Sequence, residues 1–439
     1  MKTKIALFML TAALCTSLAA AQDRPPRRDD GNRSPPREGS REPRRGNGQE
    51  SGRQQYSIEQ AVSDQAQLHT IAFSGLAFMT GDFGSSTFIP PGKVADFFGF
   101  QYMRDIDAAG KGHNPMFLDR VAGNVMKLLT PQQRTLFEDA AREQEPLVQK
   151  IAQKRFPLVA AFHRELDGRL PSGTTGLSRT AVMSYTADLF ELDAALAYKR
   201  AKVFGALARS LSSQQKATLA KMKFGDFNSW PEIDREEVRS LRPRGASKLV
   251  SVGYMTLASE FFSWYAGSVE ADTYFCPERH GTYFGGFYLK DLPAMGQRDF
   301  DISTSLTGDS GAAFVDMLTA HQRSRLTGVL NRQRSALNEI IEVRRKMSTA
   351  LRGFLRGQTP SEHDITALGR RYGELDGALS YEYASAFAAI YKTFTVDQKN
   401  RLKALRSHHT REDGTAFIYS DRIQMSQVPD SSFLFGVKK

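Results

Sequence analysis

The sequence predicts an all-α fold made of two pseudo-symmetric tandem helical units, each a long antiparallel helical hairpin joined to an irregular aromatic-rich segment. Three observations predict it. First, two stretches recur in the same order at nearly constant offset. Thr87 to Phe100 (TFIPPGKVADFFGF) aligns with Tyr274 to Phe287 (YFCPERHGTYFGGF) at 187 residues, and Phe190 to Phe204 (FELDAALAYKRAKVF) aligns with Gly373 to Phe387 (GELDGALSYEYASAF) at 183. Second, one short helix-start pattern occurs four times, twice in each copy. Third, apolar residues at three-and-four spacing run on for many turns after these starts, as expected for helices burying one face.

In chain order, Lys2 and Lys4 precede an apolar run from Ile5 to Leu18, and Ala19, Ala20 and Ala21 offer a small-residue cleavage site before Gln22. Residues 1–21 therefore read as a secretory signal, and the chain is expected to be exported, to the periplasm. Leu14 stands directly before Cys15, where a lipid-anchor signal needs a small residue, so the mature chain is expected to be soluble. No later stretch holds 18 consecutive apolar residues, so no transmembrane segment is expected in it. Without the signal Cys276 is the one cysteine, which leaves no internal disulfide in an oxidising compartment. Stability must come from packing, and a 41% hydrophobic composition supplies the material.

Residues 22–55 contain no aliphatic or aromatic side chain and hold nine Arg against six acids, which reads as a disordered, solvated linker. The formal charge of the whole chain is +11. That bias suits acidic partners or anionic envelope surfaces, while export argues against nucleic acid as the ligand. The units follow at 56–235 and 246–439. The boundary falls near Trp230-Pro231 and Arg242-Pro243-Arg244-Gly245, which break the periodicity.

The repeated pattern is LTPQQRTLF from Leu129, LSSQQKATL from Leu211, LTAHQRSRL from Leu318 and FTVDQKNRL from Phe394. With Thr130, Ser212, Thr319 and Thr395 as N-caps, Gln133, Gln215, Gln322 and Gln398 fall at N3, where each side chain can return the hydrogen bond as a capping box. Pro131 then takes the first helical position, which suits it. One cap contributes about 1 kcal/mol, so the motifs mark helix starts more than they supply stability.

The first rod of unit two carries Leu326, Val329, Leu330, Leu337, Ile340, Ile341, Met347, Leu351 and Phe354 on one face. Its counterpart in unit one contains Pro146 and Pro157 and is predicted to kink or split there, because each interior proline forfeits a backbone hydrogen bond at about 3 kcal/mol. Second rods follow along Val182, Tyr185, Leu189, Leu192, Leu196, Val203 and Leu207, and along Leu368, Tyr372, Leu375, Leu379, Ala386 and Ile390. Leu170 to Gly176 and Gly357 to Pro360 supply the hairpin breaks, and Thr359 with Glu362 is predicted to form a further capping box.

At its four motifs the chain resembles the Spy/CpxP group of periplasmic proteins, whose hallmark is paired L-T-x-x-Q segments on a long helical hairpin. The resemblance covers Leu118 to Phe224 and Thr307 to His408, about half the chain. It implies ATP-independent, stress-responsive chaperoning, in which a curved helical cradle holds unfolded clients without a cofactor, commonly as a dimer. The two halves here would then form an intramolecular pseudo-dimer, with unfolded or envelope proteins as partners. The sequence departs from that pattern at Gly81 to Asn114 and Ala271 to Gly311, Phe/Gly/Pro-rich segments that could cap the helical layer, cover a cradle or build a different site.

Candidate chemistry is sparse. Cys276-Pro-Glu-Arg-His280 could hold a lowered-pKa thiolate or a soft-metal ligand, with His113 a possible third member, in a metal, redox or small-molecule site. Against this, the counterpart of Cys276 is Ile89, which favours a small buried hydrophobe. Glu191 with Asp193 and Glu374 with Asp376 recur in both copies, but side chains two apart on a helix point to different faces. They read as salt-bridging groups, with Arg200, Arg370 and Arg371 nearby. The chain has no H-E-x-x-H, C-x-x-C, P-loop or G-x-S-x-G pattern, so no common enzyme signature supports catalysis. The aromatic clusters at Phe97 to Tyr102 and Tyr283 to Tyr288 are expected to be mostly core. A purely structural envelope protein tethered by its Arg-rich arm is the remaining reading.

Overall fold

The computed structural model describes residues 54–55, 64–80, 93–95, 101–105, 118–222, 230–274, 301–302, 310–405, 416–418, 421–423 and 430–437. Helix dominates them, and the class is all-α. In chain order the helices are α1 (Asp64–Thr80), α2 (Gly123–Leu128, entered by a π turn at Leu118–Ala122), α3 (Pro131–Asp167), α4 (Arg179–Ser210), α5 (Ser213–Lys221) and α6 (Arg235–Leu241). There follow α7 (Lys248–Ala266), α8 (Val269–Tyr274), α9 (Ser310–Asp316), α10 (Ala320–Leu351, continued as a 3-10 stretch Arg352–Arg356), α11 (Glu362–Tyr391) and α12 (Val396–Leu405).

Short strands trim this frame. β1 (Gln54–Gln55) pairs antiparallel with β5 (Asp301–Ile302), so the final two residues of the stretch expected to be unstructured are in fact paired. β2 (Lys93–Ala95) and β3 (Gln101–Asp105) form a hairpin that is extended by β6 (Ala416–Ile418) and β7 (Asp421–Ile423). The first aromatic-rich segment therefore carries regular backbone pairing. β4 (Thr174–Leu177), in the loop between α3 and α4, pairs with the C-terminal β8 (Phe435–Val437).

The first rods of the two hairpins end alike. α3 stops at Gly168 (φ 71°) and the 3-10 continuation of α10 stops at Gly357 (φ 78°), left-handed conformations that glycine adopts without steric cost. The expected break at Pro146 and Pro157 does not occur, and α3 runs unbroken through both. Its inner face buries Phe137, Ala141, Val148, Ile151, Leu158, Val159, Phe162 and Leu166 against α4, α7 and α11. At about 1.5–3 kcal/mol for each large apolar side chain, that burial outweighs two lost backbone bonds. Pro146 is exposed, so the carbonyl it leaves free faces water. The unit whose rod lacks prolines is the one that tightens, at its 3-10 end.

A second correction concerns the start of α11. Ser361, not Thr359, is its N-cap and accepts from the Asp364 amide. The Pro360 carbonyl is engaged by the Tyr198 hydroxyl of α4 at 3.2 Å, which holds that residue outside the helix.

The most extensive helix contact joins the two hairpins: α4 lies antiparallel against α11. The approach is close because Gly369, Gly373 and Gly377 present no side chain along one face of α11. A Cβ on Gly369 would lie 2.8 Å from the Phe190 carbonyl oxygen, on Gly373 2.5 Å from that of Thr186, and on Gly377 2.8 Å from the Met183 Cα. α3 packs on the outer side of this pair through α4, and α10 through α11.

The leading helices cross over. α7, which precedes the second pair of motifs, packs on α2, α3 and α4 of the first hairpin, with Phe261 edge-on to Phe137 and Phe204. α1, which precedes the first pair, packs on α9, α10, α11 and α12 of the second, with Phe78 against Phe387. Thus α1, which precedes the first hairpin in the chain, packs on the second, and α7, which lies between the hairpins, packs on the first. The seams read from sequence supply the core: Leu326, Val329, Leu337, Ile340, Met347, Leu351, Val182, Leu189, Leu196, Leu207, Tyr372, Leu379 and Ile390 are all buried.

Candidate functional site

All four repeated motifs open helices. Thr130 and Ser212 each accept from the N3 amide, and Gln133 and Gln215 return the bond to the cap amide at 3.0 and 2.9 Å. Thr319 with Gln322 and Thr395 with Gln398 do the same at 2.9 and 3.1 Å. Pro131 sits at the first position of α3.

The motifs also meet in pairs. Gln133 Nε2 donates to Gln215 Oε1 at 3.3 Å while Gln215 Nε2 donates to Gln133 Oε1 at 2.7 Å, so the two amides clasp head to tail. Gln322 and Gln398 repeat this at 3.3 and 2.8 Å. The remaining bonds correspond too. Gln133 Nε2 reaches the Ser210 carbonyl and hydroxyl, and Gln322 Nε2 those of Thr393, two residues before the second cap in each case. Gln215 Nε2 reaches the Leu128 carbonyl and Gln398 Nε2 that of Met317, two residues before the first cap. All four glutamines are buried, with every amide proton direction used inward.

This geometry explains a residue choice that capping alone leaves open. Glu serves a capping box as well as Gln does, and better suits the positive end of the helix. In the clasp each side chain must accept from its own cap amide and donate to its partner, which a carboxylate cannot do. The clasp ties the start of the first rod to the turn that follows the second, fixing the open end of each hairpin. Because α4 and α11 are antiparallel, the two clasps lie at opposite ends of the central pair.

A polar relay lies inside each hairpin. Gln144 of α3, Arg200 of α4 and Glu260 of α7 are at most 4% exposed, and Arg200 donates to Gln144 Oε1 at 2.8 Å and to Glu260 Oε1 at 2.7 Å. Burial pushes the Glu260 carboxyl upward against the pull of Arg200. In the second hairpin the Tyr383 hydroxyl donates to Gln333 Oε1, and Gln333 Nε2 donates to Gln67 Oε1 of α1 at 3.3 Å. Gln333 stands as far past Thr319 as Gln144 stands past Thr130, and Tyr383 aligns with Arg200. Each relay is completed by one of the two crossing helices, α7 in the first hairpin and α1 in the second.

A third polar group centres on Asp272 of α8. Arg352 donates to both of its carboxylate oxygens at 2.6 and 3.1 Å, and Ser348 adds a bond at 2.6 Å. Arg344, fully buried, donates to the Thr273 and Asp272 carbonyls at 3.0 and 2.6 Å. These arginines tie down the C-terminal turn of α8, where the second aromatic-rich segment begins.

The paired carboxylates do structural work. Arg370 binds Asp188 at 2.6 Å and Glu191 at 3.0 Å, bridging α11 to α4, and Arg371 binds Glu339 of α10 and Glu374. Hydrogen bonding from Arg371 holds the Glu339 carboxyl below its usual range. Arg200 donates into the buried relay, and Asp376 is itself buried. Cys276, His280 and His113 lie outside the described residues, as do 1–53 and most of both aromatic clusters. Among the described residues no group of three His, Cys, Asp or Glu side chains is placed to hold a metal ion, and no helix is long and apolar enough to cross a membrane. Large exposed hydrophobics among them are Val396, Phe433 and Val437.

Sequence reasoning found the caps but missed the clasp, the relays and the glycine stripe. The stripe had a signal, three glycines four apart within an apolar seam. The relays had only isolated polar residues on apolar faces. The chain matches no family model, no curated protein and no solved structure.

Proposed function

We propose that the chain is an exported, ATP-independent binding protein of the holdase type, which keeps non-native polypeptides of the cell envelope from aggregating. The observation that supports this reading is the pairing of the four repeated motifs, on which the resemblance to the Spy/CpxP group rests, into two glutamine clasps at the open ends of helical hairpins. In this reading the two units are duplicates joined in one chain, and the protein uses no nucleotide or cofactor. Among the described residues the large exposed hydrophobics are Val396, Phe433 and Val437, and the seams that would line an open cradle are packed against each other in the core. Client contact therefore requires either the aromatic-rich segments or the opening of a packed helix.

The test is light scattering from a chemically unfolding model protein at 1:1 ratio without ATP. Suppression for several unrelated clients supports the reading. Inactivity against all of them removes it.

A further inference from the structure

We infer that the two buried relays are matched keys: Glu260 assigns α7 to the first hairpin and Gln67 assigns α1 to the second, so that buried polarity decides which helix each hairpin takes. The inference is independent of the holdase reading.

Each of these helices is followed in the chain by one hairpin and packs on the other. The competing arrangement seats each helix on the hairpin that follows it, and aromatic packing does little to forbid it. α7 brings Phe261 against Phe204, with ring centroids 5.9 Å apart, and α1 brings Phe78 against Phe387 at 6.1 Å. Phe204 and Phe387 are the aligned ends of the repeated stretches Phe190 to Phe204 and Gly373 to Phe387. The aromatic part of the two seats is therefore alike.

The polar part is not. Gln144 and Gln333 occupy corresponding positions on α3 and α10, but the residues that pair with them differ, Arg200 on α4 and Tyr383 at the aligned position of α11. α7 meets the first pair with a carboxylate, and α1 meets the second with an amide. All six side chains are at most 4% exposed. Exchanging the helices would give Glu260 a phenol and an amide in place of the guanidinium at 2.7 Å, and would give Arg200 an amide in place of that carboxylate. A buried ion pair adds little to stability beyond an apolar pair, but taking away one partner leaves the other charge out of reach of water. The pair therefore acts on the choice between arrangements, as a single buried polar residue fixes the register of a coiled coil.

The Ser247 hydroxyl, at the N-cap of α7, meets the Glu145 carboxylate of α3 at 3.3 Å, which supplies a reporter for the seat of α7. A full-length chain with Ser247→Cys and Glu145→Cys, and with Cys15→Ser and Cys276→Ser, can be closed there by a short bis-maleimide when α7 sits on the first hairpin. Closure is read by electrophoresis after refolding from urea. Exchanging the keys alone, Gln67→Glu with Glu260→Gln, should lower closure at least about tenfold, because each hairpin then receives the wrong group. Adding Arg200→Tyr and Tyr383→Arg matches the hairpins to the exchanged keys and should restore closure to within about twofold of the parent. Arg200→Met with Glu260→Leu removes the charge from both sides; this chain should fold, yet close about twofold less or worse, because α7 no longer carries a group that the second hairpin rejects. The inference is overturned if the key exchange closes as fully as the parent, or if the Arg200→Met, Glu260→Leu chain fails to fold or closes as fully as the parent. A re-matched chain that is helical by circular dichroism but does not recover closure also overturns it. Where the re-matched chain is unfolded, the Arg200→Met, Glu260→Leu chain decides.

Discussion

Removing the Arg200 guanidinium while keeping its stem, as in Arg200→Met, leaves the Glu260 carboxylate fully buried without its partner at 2.7 Å. Breaking such a pair from one side costs about 3–5 kcal/mol, whereas replacing both partners by apolar groups is neutral or stabilising by about 1–4 kcal/mol. Arg200→Met with Glu260→Leu is therefore predicted to be at least as stable as the parent, and the single variants far below it. The pH dependence follows with a definite sign. Burial raises the Glu260 carboxyl above its usual 4.5, so its contribution to stability is fully present below that value and declines as pH rises through the folded-state pKa. Without Arg200 to pull it down, the pKa rises further, and the deficit of Arg200→Met should be larger at pH 8 than at pH 5. Urea unfolding followed by far-ultraviolet circular dichroism at both pH values reads all of this from midpoints at constant slope. Single-variant losses that add within about 0.5 kcal/mol in the double variant, or a deficit equal at both pH values, would refute the coupling.

Gln133→Glu keeps a capping-box residue but removes the donor that faces Gln215 and the Ser210 carbonyl. It should destabilise by about 2–3 kcal/mol in thermal unfolding, at least as much as Gln133→Ala, where capping alone predicts no loss. At the glycine stripe, Gly373→Ala gains about 1 kcal/mol of helix propensity but drives its methyl into the α4 backbone, for a net loss of about 1–2 kcal/mol. Gly328→Ala meets only the flexible Arg332 side chain and should be stabilising, which makes it the control for the same denaturation series. Pro146→Ala restores a backbone hydrogen bond on the exposed side of α3 and should raise the unfolding midpoint, by about 1–2 kcal/mol after allowing for the looser unfolded chain.

The helices were legible because their signals are local. A Thr or Ser followed three residues later by Gln, then apolar residues at three-and-four spacing, marks a capped amphipathic rod without reference to the rest of the chain. What escaped was either relational or a contest between terms. The Gln133–Gln215 pairing joins residues far apart in sequence, and nothing near either one announces it. Pro146 and Pro157 are local helix breakers, but the continuous apolar face around Val148, Ile151 and Leu158 decides against them. Thr359 had the better cap pattern, yet the Tyr198 hydroxyl on the Pro360 carbonyl moves the start to Ser361. The crossing of α1 and α7 to opposite hairpins has no local signature, because both are apolar helices that fit any complementary face.

The central functional claim is that the chain distinguishes non-native from native polypeptide. Isothermal titration with one model protein in two forms, folded and reduced-alkylated, under identical buffer and without ATP, tests it most directly. Saturable binding of the unfolded form alone is the predicted result; no heat with either form, or equal affinity for both, would contradict it.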